Sequence, residues 1–391
     1  EKIKRIHQQH LNQKEQKLIK DSENKESFQK QYFEMQKKNN IELVTDEIVK
    51  IVRAIVIDID KKRLYRGKGG EIMRGAVCRL IECFSMAGLK IPATPLAKYQ
   101  DIVDDCLRHP KEEIQIAAKN AQKELARAYY LQTNEKLNTK ILLKWLPIVS
   151  TDPSPCITRG YSMGLGSLSR PLLEESLDEI LVKLYANLKP KQGDEDDPET
   201  RKYSVESLAE IVETMGISSI SQEILEQLFT NLISAADDYS VDKRGDVGSW
   251  VREASMRAVF KIFKLIYDTP NSSELNVTLT EEMNLSFICL LLKQMVEKID
   301  KIRQVAAGLL QSYFKEYLHD KTDLPSYGAL KSMLTNEKED HVFQWSLPSY
   351  VFPLIVPLLD DETYTKAILE GLIVSVGGLT ESTLRSSTDS L

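Results

Sequence analysis

The residue types that could do chemistry are present in this chain, but their spacing does not fit a catalytic or phosphate-binding pattern. Gly67–Glu71 (GKGGE) combines glycines with a lysine. It lacks the Gly-x4-Gly-Lys-Ser/Thr spacing whose backbone amides hold phosphates. Gly160–Ser167 (GYSMGLGS) is also glycine-rich, but it lies within a predicted helix and follows no strand. We therefore expect neither segment to bind a nucleotide.

The histidines and carboxylates do not predict a metal site or an acid–base pair. The histidines are His7, His10, His109, His319 and His341. They show no metal-ligand spacing and no His-Glu-x-x-His motif. The acidic run Asp101–Asp105 (DIVDD) is better explained as a solvated helix face. A Gly-x-Ser-x-Gly nucleophile motif is absent as well. The sequence thus predicts no enzyme activity, no cofactor and no bound metal.

An Arg-Gly-Asp tripeptide occurs at Arg244–Asp246, within the stretch Asp237–Met256 (DDYSVDKRGDVGSWVREASM). A role in cell adhesion would need an extracellular location, which nothing in the sequence supports. Two glycines favour a turn here, and Asp246 or Ser249 can cap the following helix by accepting hydrogen bonds from its free amides. We interpret the stretch as a loop that leads into a helix.

Composition indicates a protein able to bury a core. The chain has 391 residues, of which 42% are apolar and 28% charged, with a net charge of −6. This acidic balance argues against nucleic acid as the main partner. The apolar runs are too short to span a membrane. Five cysteines without a Cys-x-x-Cys motif fit reduced thiols in the cytoplasm, and we expect Cys78 and Cys83 to be small core residues.

The first forty residues differ from the rest. They contain ten Lys or Arg, six Asp or Glu, and seven Gln. We predict that residues 1–40 form a polar, partly helical or disordered insertion; a basic arm for nucleic acid is the less favoured alternative. The chain starts without methionine, so we expect it to be a piece of a longer protein.

From residue 41 onward the apolar pattern predicts one helix after another, with few strands. Seven helices begin with similar phrases, among them EIMRGAVCRL, WVREASMRAV and KIRQVAAGLL. Their aligned positions are Arg74, Gln115, Arg159, Arg201, Arg252, Arg303 and Lys366, with spacings of 41, 44, 42, 51, 51 and 63 residues. Repeats of the HEAT and armadillo type have periods of roughly 40–47 residues. We therefore predict an all-α, HEAT/armadillo-like helical repeat solenoid of about seven helical pairs across residues 41–391.

The repeats explain why these positions are similar. A single helical pair cannot bury its apolar stripe, so stacked pairs bury it against each other. An arginine near the start of each second helix can bridge to a carboxylate of the next unit. The structural repeat positions predicted on this basis are Trp250, Arg252, Arg159, Arg201 and Arg303.

Several segments also resemble the C-terminal part of the tubulin-folding cofactor D family. They are Asp237–Met256, Gly67–Glu82 (GKGGEIMRGAVCRLIE), Trp345–Leu359 (WSLPSYVFPLIVPLL), Leu369–Leu391 and, more weakly, Val296–Leu310. The segments are collinear and together span residues 67–391. Residues 1–40 have no recognised counterpart.

The resemblance implies a non-catalytic chaperone. Such proteins bind β-tubulin and help to assemble or disassemble the α/β-tubulin heterodimer. They act with tubulin cofactors E and C and an Arf-like small GTPase, and contribute to GTPase activation of tubulin. A cytoplasmic location follows, with the microtubule cytoskeleton or the centrosome as sites of association. The alternative is a generic HEAT-repeat adaptor for transport or phosphatase assembly.

Exposed loops are the favoured places for partner binding. The first candidates are Tyr239, Lys243, Arg244 and Asp246, because they combine mixed charge with a predicted surface loop. Glu71 and Arg74 come second. For Asp246, Trp250 and Arg252 the preferred interpretation is structural.

Overall fold

The computed structural model describes residues 46–390, except 68, 90, 131–134, 192, 194–195, 270–274, 336–342 and 379. The insertion predicted for residues 1–40 lies outside the described residues. The chain divides into two compact units, Glu1–Asn138 and Thr139–Leu391, called the first and second unit below. The predicted extent of the repeat array, residues 41–391, stays a prediction.

The first unit is built from helices. Its helices are α1 (Asp46–Lys61), α2 (Gly70–Met86), α3 (Ala93–Leu107) and α4 (Glu112–Tyr129), and α5 (Glu135–Trp145) crosses the boundary to the second unit. The helix α2 packs along α4, and α3 packs against both. Gln115, at the repeat position of α4, is fully buried and donates a hydrogen bond of 2.7 Å to the carbonyl of Leu107. This bond fixes the turn between α3 and α4.

The second unit contains the remaining elements. Its helices are α6 (Pro155–Gly166), α7 (Arg170–Glu174), α8 (Leu177–Ala186), α9 (Pro198–Met215), α10 (Gln222–Ala235), α11 (Gly248–Tyr267), α12 (Glu281–Met295), α13 (Asp300–Tyr313), α14 (Tyr327–Leu334), α15 (Pro348–Ile355), α16 (Glu362–Val376) and α17 (Glu381–Ser390). Short 3₁₀ turns follow α9 and α15, and a π-helical turn, Phe314–Leu318, extends α13.

Strands are scarce in the described residues, as the sequence predicts. One antiparallel hairpin is formed by β1 (Val241–Asp242) and β2 (Gly245–Asp246). Its paired residues are Val241 with Asp246 and Asp242 with Gly245. Together with seventeen helices in the described part of the chain, this confirms the all-α fold class.

The second unit stacks helical pairs in the manner of a solenoid. Helices α6, α9, α11 and α13 pack one against the next, while α8, α10 and α12 pack on the helix that follows each of them. Short polar side chains begin several of these helices. Asp197, Ser221 and Thr280 each accept a hydrogen bond from an amide three residues later, which satisfies one free amide of the first turn.

The last repeat departs from this order, because α16 packs against α12. Ser375 on α16 donates a hydrogen bond to the carbonyl of Val296, and Glu370 pairs with Lys293 of α12 at 2.8 Å. Lys366, the seventh aligned position, has a side chain that is 89% exposed. The buried role of the aligned position therefore does not extend to α16.

One expectation about the cysteines is wrong. Cys78 is buried in the first unit, but Cys83 is exposed on the same helix. Five residues along an α-helix correspond to a rotation of about 140° from the starting position. The two thiols therefore lie on different faces of α2, and only Cys78 faces the core.

Candidate functional site

The loop between α10 and α11 requires glycine at two positions. Gly245, in the hairpin, has a φ of 106°, a conformation that residues with a side chain rarely adopt. Gly248, at the start of α11, donates a 3.0 Å hydrogen bond to the carbonyl of Ser240. A Cβ atom at Gly248 would lie 2.3 Å from the carbonyl oxygen of Asp238. The tripeptide Arg244–Asp246 is thus part of a tight turn into α11.

Four buried arginines connect this loop to the stacked helices. They are Arg159 on α6, Arg201 on α9, Arg252 on α11 and Arg303 on α13, and their exposed fractions are 7%, 2%, 0% and 0%. We call these four residues the arginine ladder. Burial of a guanidinium is costly unless it is paired and hydrogen-bonded, so the partners of each arginine determine how the stack holds together.

Three members of the arginine ladder pair with a carboxylate in the segment that precedes the next helix of the series α6, α9, α11 and α13. Arg159 pairs at 3.6 Å with Asp197, the residue that precedes α9. Arg201 pairs at 2.6 Å with Asp238, which lies in the loop before α11.

Arg252 continues the pattern through Glu297, which precedes α13, at 3.1 Å. Arg303 departs from it, because it donates to the backbone carbonyl of Ser346 instead. All four arginines of the ladder bind a group in the next helical repeat. At Arg303 that group is a neutral backbone carbonyl instead of a carboxylate.

Arg252 has the densest set of partners. It donates to the carbonyl of Asp238 at 2.6 Å, to Asp246 at 3.1 Å and to Glu297 at 3.1 Å. Its guanidinium also lies 4.2 Å from the ring centre of Tyr239. The arginine therefore ties the hairpin loop to both α11 and the start of α13.

The carboxylates around Arg252 differ in their electrostatics. Burial raises the pKa of Glu297, and the nearby charge of Arg252 only partly opposes this. Burial would also raise the pKa of Asp246, but hydrogen bonds and charges from Arg252 and Lys298 outweigh it, so the pKa of Asp246 lies below its usual value. Asp246 is thus held as a carboxylate, and it also accepts a 3.0 Å hydrogen bond from the amide of Ser249.

The four loop candidates have unequal surroundings. Tyr239 is half-buried beneath Arg252. Arg244 pairs with Glu199 and Asp242. Asp246 is half-buried and paired with Arg252. Lys243 is exposed and forms no salt bridge with another residue in the described part of the chain.

Trp250 is half-buried rather than part of the core. The guanidinium of Arg244 lies 4.9 Å from its ring centre. Val251, the next residue, is fully buried. Trp250 therefore supports the hairpin through Arg244, while Val251 carries the apolar stripe of α11.

The second pair of candidates lies in the first unit. Glu71 pairs with Lys111, and Arg74 pairs with Asp105. The guanidinium of Arg74 also lies 5.4 Å from the ring centre of Tyr65. Both residues thus have local partners on helices α2 to α4 or just before them.

Asp238 and Glu297 are central to the arginine ladder but were not anticipated from the sequence. Asp238 is 7% exposed and Glu297 is fully buried. They lie 14 and 6 residues before the arginine of the following helix, while Asp197 lies four residues before Arg201. A constant spacing between carboxylate and arginine would have revealed these partners in the sequence. The loops differ in length, so no constant spacing exists.

The geometry supports holding helices together more than it supports a reaction. The charged groups of the arginine ladder face partners of opposite charge or backbone carbonyls. Within the described residues, no group of three or more His, Cys, Asp or Glu is placed to hold a metal ion. No helix that the structure describes is long and apolar enough to cross a membrane.

Comparison with known proteins finds similarity to cofactor D proteins. Residues 285–391 match the family model described as tubulin folding cofactor D C terminal. Over 332 residues the chain is 29% identical to tubulin-specific chaperone D of Dictyostelium discoideum, an alignment that covers 74% of this chain and 22% of the relative. The resemblance to tubulin-folding cofactor D is confirmed. A second relative, tubulin-folding cofactor D of Schizosaccharomyces pombe, is 30% identical over 96 residues, which cover 25% of this chain and 8% of the relative.

The match to the family model covers the C-terminal helices of the second unit. The family model begins within α12 and continues through α13 to α17. The chain spans only about a fifth of the length of the Dictyostelium relative, as the 22% coverage gives.

Proposed function

We propose that this chain is part of a non-catalytic tubulin chaperone scaffold. The observation that carries the proposal is the similarity to a tubulin-specific chaperone over 332 residues. The stacked helices of the second unit support it, because a stack of helical pairs offers a long surface without needing one deep pocket.

In this proposal the client is β-tubulin, bound alone or within the α/β-tubulin heterodimer. The chain helps to assemble or disassemble the heterodimer with tubulin cofactors E and C and an Arf-like small GTPase. It contributes to GTPase activation of tubulin without hydrolysing nucleotide itself. Its location is the cytoplasm, including the microtubule cytoskeleton or the centrosome.

A scaffold of this kind acts by holding several partners at once. Two weak contacts on one rigid body raise the effective concentration of the second partner. The arginine ladder supports such rigidity, because Arg201 and Arg252 each connect one helix to the loop of the next. The client contacts would then be made by exposed residues outside the arginine ladder.

The hairpin β1–β2 is the part of the loop most available for such a contact. Val241 is 67% exposed, and Lys243 beside it is exposed and unpaired among the described residues. Tyr239, Arg244 and Asp246 have partners within the fold. Among the loop candidates we therefore propose Lys243 as the first tubulin contact, and we add its exposed neighbour Val241 to the candidates.

A binding experiment tests the proposal. The purified chain is immobilised and incubated separately with α/β-tubulin, cofactor E, cofactor C and the Arf-like GTPase. Retention of tubulin or of at least one cofactor is expected. If none of the four is retained while a full-length cofactor D retains them, this piece has no binding role of its own. Hydrolysis of GTP by the chain without tubulin would contradict the non-catalytic part.

A matched pair of variants locates the contact. Val241→Asp should weaken tubulin binding, since it places a charge in an exposed apolar contact. Val182→Asp, on α8, changes a valine that is 61% exposed and should leave binding unchanged. Equal affinity of both variants and the original chain for tubulin would exclude Val241 from the contact.

A further inference from the structure

A groove lies between α15, with the 3₁₀ turn that follows it, and α17 in the second unit. The two helices pack against each other. The groove has a volume of about 380 Å³, which is in the range of sites that bind small ligands. Its lining residues form two walls of different chemistry.

The α15 wall contains two prolines. Ser349, Pro353 and Pro357 line it at intervals of four residues, so they share one helix face. In an α-helix the carbonyl of one residue accepts a hydrogen bond from the N–H four residues later, and proline has no N–H. The carbonyls of Ser349 and Pro353 therefore lack their usual donors. The amide of Val356, three residues after Pro353, donates to the carbonyl of Phe352 instead.

The α17 wall adds a carboxylate and two hydroxyls, from Asp389, Ser386 and Ser390. Asp389 is exposed and forms no salt bridge with any other residue that the structure describes. The described lining residues include no lysine or arginine. Arg385, beside Ser386 in sequence, pairs with Glu381 at 3.6 Å. The only formal charge on the lining is therefore negative.

This combination of groups fits a guanidinium better than an ammonium. A guanidinium is planar and has five N–H donors, whereas an ammonium has three and is more strongly hydrated. The apolar stem of an arginine side chain can lie along apolar surface while its charged end binds polar groups. Pro353, Val356 and Pro357 supply such a surface in the groove.

We propose that the groove binds an arginine side chain of a partner protein. Asp389 pairs with the guanidinium, and the carbonyls of Ser349 and Pro353 accept further hydrogen bonds from it. The site is separate from the tubulin contact proposed at β1–β2. A chain that binds no tubulin would still bind an arginine side chain here, so the two proposals can fail independently.

Methyl NMR of the whole 391-residue chain tests the proposal, with Val356 in the groove as the reporter. The chain is titrated with Nα-acetyl-arginine N-methylamide and, separately, with its citrulline counterpart, which has a similar shape but a neutral urea group. The arginine probe should shift the Val356 methyl signals with a Kd on the order of 1–10 mM, because so small a ligand makes few contacts.

The citrulline probe should bind roughly three- to tenfold more weakly, because hydrogen bonds to a charged group are the stronger ones. Unshifted Val356 signals with the arginine probe would overturn the proposal. Equal affinity of the two probes would overturn it as well.

A pair of variants on α17 tests the carboxylate. Asp389→Asn should weaken binding of the arginine probe by roughly three- to tenfold. Glu381→Gln is the matched control, because Glu381 is 88% exposed on the same helix and does not line the groove. It should leave the affinity unchanged. An Asp389→Asn variant that binds the probe as well as the original chain would rule out the assigned pairing.

Pro353→Ala separates binding from folding. Alanine restores an N–H at this position, so the carbonyl of Ser349 regains its helical donor. The variant should be at least as stable as the original chain, since alanine is favoured over proline within a helix, and yet it should bind the arginine probe more weakly. Thermal unfolding and the same titration measure the two effects. Unchanged affinity would contradict the role given to the Ser349 carbonyl.

Discussion

At the scale of single residues, Arg252 connects the hairpin loop to the stacked helices. Its guanidinium is fully buried, and so is the Glu297 carboxylate that it contacts. Removal of one partner of a buried pair leaves the other charge without compensation. Loss of Arg252 would therefore destabilise the fold mainly because Glu297 would remain buried without a partner of opposite charge.

Arg252→Ala should lower the free energy of unfolding by about 3–5 kcal/mol, which is typical for a broken buried pair. Urea unfolding followed by circular dichroism measures the change. Arg257→Ala is the matched control on the same helix, because Arg257 is 55% exposed and pairs with Glu253. It should cost at most about 1 kcal/mol. Equal losses in both variants would contradict the assigned role of Arg252.

The Asp246 carboxylate predicts a pH dependence of stability. Its folded pKa is below the usual value near 3.8. Its contribution is therefore fully present above pH 3.8 and is lost as the pH falls through the lower folded pKa. Asp246→Asn should thus be less stable than the original chain at neutral pH, and the difference should shrink below pH 3.8.

Urea unfolding at a series of pH values measures that difference. Asp320→Asn is the control, because the Asp320 side chain is 89% exposed and should change stability little at any pH. A difference for Asp246→Asn that stays constant down to the lowest pH would show that its charge is not the stabilising factor.

At the scale of elements, close approach of the hairpin loop to α11 explains the requirement for Gly248. The backbone of Asp238 passes so near that a Cβ atom at Gly248 would lie 2.3 Å from its carbonyl oxygen. Backbone cannot move aside as a flexible side chain can. The start of α11 would have to shift, and with it the amides that meet Ser240 and Asp246.

Gly248→Ala should therefore destabilise the chain by about 1–3 kcal/mol, as other steric insertions into packed sites do. Gly308→Ala provides the contrast. A Cβ atom at Gly308, within α13, meets no atom within 4 Å, so alanine there should stabilise by about 0.5–1 kcal/mol. Thermal unfolding of both variants measures the two effects. A neutral Gly248→Ala would contradict the close approach.

At the scale of the whole molecule, the second unit is a series of neighbouring contacts. Helices α6, α9, α11 and α13 each pack on the next, and the arginine ladder follows the same order. In repeat proteins, stability is approximately a sum of repeat and neighbour terms. Local damage should therefore weaken adjacent helices most.

Hydrogen exchange of the Arg252→Ala variant tests whether local damage weakens the adjacent helices most. Amide exchange should rise most in α11 and α13, which flank the Arg252–Glu297 pair, and least in α6, the ladder helix farthest from it in the series. Mass spectrometry of peptides from the second unit measures the rates. An equal rise in α6 and α11 would mean that the unit unfolds as a single cooperative body.

Sequence alone determined the all-α class, the repeated phrases and the positions of the four ladder arginines. These features depend on local periodicity, which places residues three or four apart on one helix face. The likeness of Asp237–Met256 to cofactor D proteins was also readable without a structure.

Only the tertiary structure decided which groups meet. Asp238 and Glu297 meet their arginines across loops of unequal length, and α16 packs on α12. Contacts between helices depend on loop paths and crossing geometry, which no short-range pattern encodes. Packing also decided which face of α2 is buried, so Cys78 lies in the core and Cys83, on another face, lies at the surface.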